Sequence, residues 1–492
     1  MPQTMWAVLL LLVLRPWRMD AFLGHGIVVS KHHHVNWATM SSIVPEYRHY
    51  NSTLAPDTAQ LQGYQSKHAS IASSFESGTF SPLPMVSNRH LQTIGGVFLR
   101  NYRECAYVRD RCRTVASLFD AMVSTMQEST DDDQWYYDER ERIVTPSRGS
   151  FFTVDHKYST TSSKGRVLVL HGLESNSNST LCMDMSNAFL ERGYDVSVIH
   201  FRGCCGSDVA QLYKDGTLVK NSENPFMYHL GFVDDVIYYL SVLASRNQKQ
   251  PIYLSGFSLG ANVVLKALGQ LGSDAIDLYN VAGAAVAGAP FDTEKNYMQF
   301  HNDPISRWVY VENLLAKLKW RADQILTLQY DGDVDNAGFD YRGSMDATTI
   351  YELETACVAP LFGFEDHIDY YRKTSCGYFI ERICVPTYVV NARDDPFFDS
   401  SFVPWDKVYG GESGMEKSGG GSAPVKIAFT EQGGHLGYIF HQVESQSEDK
   451  EREASWISEE LARFIDHAHE EMFPTGSIDS TTVVEGSSLP LL

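Results

Sequence analysis

Gly256-Phe257-Ser258-Leu259-Gly260 lies between two runs of different character. Pro251-Ile252-Tyr253-Leu254-Ser255 before it is apolar and of strand type, and Ala261-Asn262-Val263-Val264-Leu265-Lys266-Ala267-Leu268 after it has helix spacing. Strand, G-x-S-x-G, helix puts the serine on a tight strand-to-helix turn. Such a turn crowds the positions two before and two after the serine, where glycine has no Cβ to clash. The hydroxyl then stands at the start of a helix, whose free N–H groups favour developing negative charge. A plain Gly/Ser turn of any α/β protein would read the same over five residues, so the surrounding chain decides.

Working outward, strand and helix patterns alternate. Residues 140–144 and 150–154 read as a hairpin around Pro146-Ser147-Arg148-Gly149. Strands follow at 167–170, 195–199, 252–254, 281–286, 386–390 and 425–429, and helices at 181–192, 231–244 and 456–467. Strands that are apolar throughout and separated by helices imply an α/β fold: a mostly parallel sheet covered on both faces. Between Phe291 and Glu381 the strand rhythm lapses, and 305–320, 348–358 and 365–373 are helix-like. This stretch, 291–381, is expected to form a helical cap over the carboxyl ends of the strands, where sites of open α/β sheets gather; a peripheral decoration is the alternative. Residues 1–75 are expected to be disordered, 81–468 to form the globular domain, and 469–492 to be a disordered tail. The Gly/Ser-rich stretch 410–422 is expected to be a flexible surface loop.

A serine hydroxyl is a poor nucleophile until a base takes its proton, and the base needs a third group to orient it. On this architecture the chain order is serine, acid, histidine. The acid is expected in Asn391-Ala392-Arg393-Asp394-Asp395-Pro396-Phe397-Phe398, after a late strand. Asp395, directly before Pro396, is favoured, and Asp394 is the rival. The histidine is expected in Gly433-Gly434-His435-Leu436-Gly437, after the last strand, where flanking glycines let a loop bring an imidazole to the serine. His435 would act as general base and then general acid, as an imidazole titrating near neutrality can. His171, His200 and His367 lack that position. Two backbone N–H groups are needed for an oxyanion: Leu259, after the serine, and Leu173, in the loop His171-Gly172-Leu173.

The chain has 492 residues, 43% hydrophobic and 12% aromatic, with a net charge of −21. That charge argues against nucleic acid, which needs a basic face, and against adhesion to anionic lipid. Eight cysteines are too few for a disulfide scaffold at this length, and they read as reduced thiols; the adjacent Cys204-Cys205 suits neither a disulfide nor a zinc pair. His32-His33-His34 reads as a polar segment rather than a metal site. No metal or organic cofactor is implied by the candidate residues. Residues 6–14 are apolar but shorter than the roughly 20 residues of a membrane-spanning helix. They suit a signal or anchor segment, and Arg15 and Arg18 behind them would favour holding that side in the cytosol. Membrane association through this segment, at the endoplasmic reticulum, is the favoured expectation, with a soluble form as the alternative. Asn51-Ser52-Thr53 and Asn178-Ser179-Thr180 match the glycosylation pattern.

Taken together, Asn88-Arg89-His90-Leu91-Gln92-Thr93-Ile94, His171-Gly172-Leu173, His200-Phe201-Arg202-Gly203-Cys204, residues 256–262, 391–397 and 433–437 make the chain resemble the AB hydrolase family 4, the YheT-like esterases and their eukaryotic relatives. The resemblance covers roughly 81–467 and implies the α/β-hydrolase fold with a helical cap. It implies a serine carboxylic ester hydrolase of esterase or lipase type, acting on a lipid or medium-chain acyl ester through an acyl-Ser258 intermediate. Acyl-coenzyme A:alcohol O-acyltransfer by the same triad is the alternative. The resemblance also implies a small-molecule acyl ester or lipid as partner and, in eukaryotic members, an N-terminal anchor. The residues leave the oligomeric state open.

Overall fold

The computed structural model describes residues 58–82, 87–101, 106–107, 136–145, 151–204, 227–246, 250–410, 421–438 and 455–474. Nine strands form one sheet: β1 (Glu139–Val144), β2 (Phe151–Lys157), β3 (Arg166–Leu170), β4 (Asp195–Ile199), β5 (Ile252–Phe257), β6 (Val281–Ala287), β7 (Thr387–Ala392), β8 (Val408–Gly410) and β9 (Ala423–Thr430). Their spatial order is β8-β9-β7-β6-β5-β3-β4-β2-β1. The β1–β2 and β2–β4 pairs are antiparallel and every other pair is parallel. Arg100–Asn101 and Ala106–Tyr107 form a separate short ladder.

Alternation along each strand divides the core in two. Leu168 and Leu170 of β3, and Ile252 and Leu254 of β5, face one side. There they meet α4 (Asp234–Ser245) and α5 (Leu259–Leu271) through Val236, Leu240, Val263 and Val264. Val167, Val169 and Tyr253 face the other side, against Met185 and Phe189 of α3 (Thr180–Glu191) and Leu461 and Phe464 of α9 (Trp456–Met472). Both faces are therefore dry, which is why these strands read as unbroken apolar runs.

The expectation for residues 1–75 is corrected at its end: Thr58–Ser74 is a helix, α1, packed on β9 and α9. Its sequence is mostly polar, so no apolar stripe announced it. Hydrogen bonding holds it, together with the burial of Ala69, Ile71 and Ala72. Buried Gln65 donates to the Glu381 and Ile383 carbonyls at 2.8 and 3.0 Å, and the Nδ1 of buried His68 meets the Cys384 carbonyl at 2.7 Å. The tail boundary moves as well, because α9 continues past 469 to Met472.

Between β6 and β7 the chain is helical, as the lapse in strand rhythm predicts. It contains α6 (Thr293–Asn302), α7 (Glu312–Gln329) and α8 (His367–Thr374), with shorter helical pieces between them. Two stretches, Arg307–Val311 and Glu354–Val358, are wound as π-helix. This helical layer sits at the carboxyl ends of the strands: Arg321 of α7 reaches Glu174 beyond β3, and Tyr310 packs at a tilt against Phe397 beyond β7. Residues 411–420 of the Gly/Ser-rich stretch lie outside the described residues, as do 1–57, which contain the apolar segment 6–14, His32-His33-His34 and Asn51. Among the described residues no helix is long and apolar enough to cross a membrane. Cys182, Cys204, Cys357, Cys376 and Cys384 are buried and form no disulfide among the described residues.

Candidate active site

Sheet register brings the site together before any side chain is considered. Leu170 at the end of β3 pairs with Gly256 in β5, Phe257 with Ala287 of β6, Ala287 with Val390 of β7, and Ala392 with Thr430 of β9. The chain leaving each of these strands emerges at one edge, and Ser258, Gly288, Asp395 and His435 all lie within a few residues of it.

Ser258 turns from β5 into α5 with φ 55° and ψ −121°, a conformation an L-residue adopts under strain. Its N–H donates to the Ala287 carbonyl at 2.9 Å. The flanking glycines are required by close approach. A Cβ on Gly260 would lie 2.2 Å from the Leu170 oxygen, and one on Gly256 would lie 2.9 Å from the Gly260 carbonyl group. The strained turn therefore packs directly against the end of β3, and the hydroxyl projects at the start of a 13-residue helix.

His435 Nε2 stands 3.0 Å from Ser258 Oγ, and His435 Nδ1 stands 2.8 Å from Asp395 Oδ2. The Asp395 side chain is 1% exposed and that of His435 11%. Asp395 Oδ1 also accepts the Phe397 N–H at 2.7 Å, which fixes the carboxylate plane. Its rival Asp394 turns away: Oδ1 accepts the Gly434 N–H at 2.9 Å, and burial pushes its carboxyl above the ordinary value. Asp395 is thus the acid in reach of the imidazole. Phe397 stacks on the His435 ring, centroids 4.4 Å apart, and Phe398 meets its edge at 5.0 Å. Phe300 of the helical layer stacks on Phe397 in turn, and Tyr310 meets it at a tilt with centroids 4.9 Å apart.

The loop after β3 comes against the serine: a Cβ on Gly172 would lie 3.5 Å from Ser258 Cβ. Leu259 opens α5 directly after Ser258, and Leu173 follows Gly172 in this loop. His171 is a strut in this loop. Its Nδ1 donates to the Gly172 carbonyl at 2.8 Å, its Nε2 accepts the Phe201 N–H at 3.1 Å, and burial lowers it to about 3, so it stays neutral. His200, also buried and lowered to about 4, accepts the Ser177 N–H at 3.1 Å and meets Thr153 Oγ1 at 2.9 Å. His367 pairs with Thr355 in the helical layer.

Sequence reasoning did not find a buried ion pair beside this loop. Glu174, at φ 51°, accepts Arg321 Nη2 at 2.6 Å and the Tyr228 hydroxyl at 2.9 Å, while its N–H donates to Tyr228 Oη at 2.7 Å. Arg321 Nη1 also donates to the Gly203 carbonyl at 2.9 Å. The residues concerned come from four separated segments, so no local pattern could have joined them. The H-G-L-E run and F-R-G-C were the nearest signals.

Residues 165–406 match the family model of the alpha/beta hydrolase fold. The YheT protein of Escherichia coli, named as an esterase, is 30% identical over 278 residues, which are 56% of this chain and 71% of that protein. The chain belongs to the α/β-hydrolase superfamily. A monoacylglycerol lipase of Saccharomyces cerevisiae is 23% identical over 67% of this chain and 65% of its own length. A medium-chain fatty acid ethyl ester synthase/esterase from the same yeast is 25% identical over 61% of each. The match to each yeast protein spans less than two thirds of that protein's length.

Proposed function

We propose that this α/β hydrolase is a serine carboxylic ester hydrolase that works through an acyl-Ser258 intermediate on a lipid or medium-chain acyl ester. The observation that carries the reading is the continuous relay from Ser258 Oγ through His435 to Asp395, with steps of 3.0 and 2.8 Å. In this reading His435 Nε2 takes the Ser258 proton as Oγ bonds to the ester carbonyl carbon. Asp395 holds the imidazole and stabilises the imidazolium. The carbonyl oxygen becomes an oxyanion, held by the N–H groups of Leu259 and Leu173. As the tetrahedral centre collapses, the C–O bond to the leaving alcohol breaks and His435 returns the proton to that alcohol. Water, deprotonated by His435, then adds to the acyl-Ser258 carbonyl; the bond from the acyl carbon to Ser258 Oγ breaks, His435 returns the proton to Oγ, and the carboxylic acid departs. The names of the YheT protein and the yeast lipase support an ester or lipid substrate.

Acyl transfer is the second reading. The same acyl-enzyme can be formed from a thioester and discharged to an alcohol in place of water. The rings of Phe397 and Phe398 against His435, backed by Phe300 and Tyr310 on Phe397, favour keeping it, because apolar side chains beside the imidazole disfavour water there. The yeast relative named as both synthase and esterase supports it too. Ser258→Ala tests both readings at once: it abolishes short-chain ester hydrolysis and labelling by a fluorophosphonate. Hydrolysis or labelling that persists in the variant contradicts them.

A further inference from the structure

The stretch Asn88-Arg89-His90-Leu91-Gln92-Thr93 has no role in the chemistry above, yet it lies against the histidine. It opens α2 (Arg89–Leu99), capped by Asn88, whose Oδ1 accepts the N–H groups of His90 and Leu91 at 2.9 and 3.3 Å. One turn in, Thr93 Oγ1 donates to the Arg89 carbonyl at 2.8 Å. That bond consumes its single proton and leaves a lone pair, which accepts the backbone N–H of His435 at 2.8 Å.

The fit between helix and loop is close on both sides. A Cβ on Gly434, at φ 56°, would lie 2.5 Å from the Arg89 carbonyl oxygen and 2.6 Å from Thr93 Oγ1. A Cβ on Gly437 would lie 1.9 Å from the Gln92 oxygen, and one on Gly96 would lie 2.4 Å from Gly437 Cα. Backbone meets backbone with glycine at each contact, so the His435 loop has little room to shift along α2. From the opposite side Asp394 Oδ1 holds the Gly434 N–H. The other flank of the same helix reaches the helical layer: His90 Nδ1 lies 3.2 Å from Tyr310 Oη with the rings stacked, and Arg89 pairs with Asp303 at 3.5 Å. One short helix therefore touches both the loop that carries the histidine and the layer that covers it.

We propose that Thr93 is a positioning residue for His435, its hydroxyl fixing the imidazole between Ser258 and Asp395. The proposal rests on the triad reading given above. A hydroxyl in this place acts on the geometry of proton transfer, and small displacements of a catalytic group are costly in rate.

The test is steady-state hydrolysis of a short-chain p-nitrophenyl ester by the full-length protein carrying Thr93→Val, Thr93→Ser or Ser258→Ala. Thr93→Val keeps the volume and removes the hydroxyl. It is expected to lower kcat roughly tenfold to a hundredfold, with KM within about twofold and fluorophosphonate labelling slowed in parallel. Thr93→Ser keeps the hydroxyl and is expected to stay within about threefold of wild type. If Thr93→Val does not fold, Thr93→Ala takes its place. Wild-type kcat in the valine or alanine variant, a change confined to KM, or an equal loss in Thr93→Ser overturns the positioning role. In each case an inactive Ser258→Ala leaves the triad reading standing. An active Ser258→Ala removes the triad itself, whatever the Thr93 variants do.

Discussion

Asp395 and His435 face each other across 2.8 Å, carboxylate to Nδ1, while the adjacent Asp394 carboxyl points to a backbone N–H of the histidine loop. Two neighbouring acids thus have different tasks. The first touches the imidazole, and the second holds the backbone that carries it.

The two aspartates should separate cleanly on mutation. Asp395→Asn removes the charge that favours the imidazolium and supports the wrong tautomer, and kcat should fall by about 10⁴. Asp394→Asn retains an oxygen to accept the Gly434 N–H and should stay within about tenfold of wild type. Burial raises the Asp394 carboxyl. The native state therefore binds that proton more tightly than the unfolded chain, and the carboxylate costs stability once pH exceeds its folded value. The asparagine variant should be at least as stable as wild type at neutral pH. Parallel kcat measurements and thermal melts check both statements.

How much of this was legible in the sequence differs from element to element. β5, the glycines around Ser258, and the placement of Asp395 and His435 after β7 and β9 could be read directly. Each rests on a local pattern, a run of apolar residues or a turn that demands glycine, and register then fixes their convergence. The helical layer was legible by the lapse of strand rhythm between 291 and 381. Helix α1 was not, because Gln65 and His68 anchor it by hydrogen bonds to carbonyls more than 300 residues away. Thr93 and the Glu174–Arg321 pair were hidden for the same reason: both act through polar contacts to residues far away in sequence.

Arg321 and Glu174 are 5% and 9% exposed, so removing one charge leaves the other buried without compensation. Arg321→Met should destabilise the protein by about 3–5 kcal/mol. Combining it with Glu174→Gln should recover much of that loss, since no buried charge remains. Denaturant unfolding of the two single variants and the double variant measures the coupling. The double variant should also show a lower kcat, because Glu174 follows Leu173 in the loop proposed to hold the oxyanion.

Glu354, in the helical layer, is buried and accepts the Tyr371 hydroxyl. Burial pushes its carboxyl up from 4.5 to about 8. Between these values the native state keeps a proton that the unfolded chain has lost. The stabilising contribution of that proton is complete below about pH 4.5 and fades as pH rises through about 8. Glu354→Gln keeps an acceptor for Tyr371 and carries no charge, so it should flatten the slope. Its melting temperature should match wild type near pH 5 and exceed it near pH 8.5, by an amount corresponding to a few kcal/mol. An unchanged pH slope would contradict this placement of Glu354.

In the proposed reaction Ser258 carries the acyl group. The direct measurement is peptide mapping by mass spectrometry after wild-type protein is mixed with a slowly deacylating p-nitrophenyl ester and quenched in acid. An acyl adduct is expected on the peptide containing Gly256-Phe257-Ser258-Leu259-Gly260, with the modified atom at Ser258 and no adduct on that peptide in Ser258→Ala. An adduct on another residue, or ester turnover with Ser258 unmodified throughout, would contradict it.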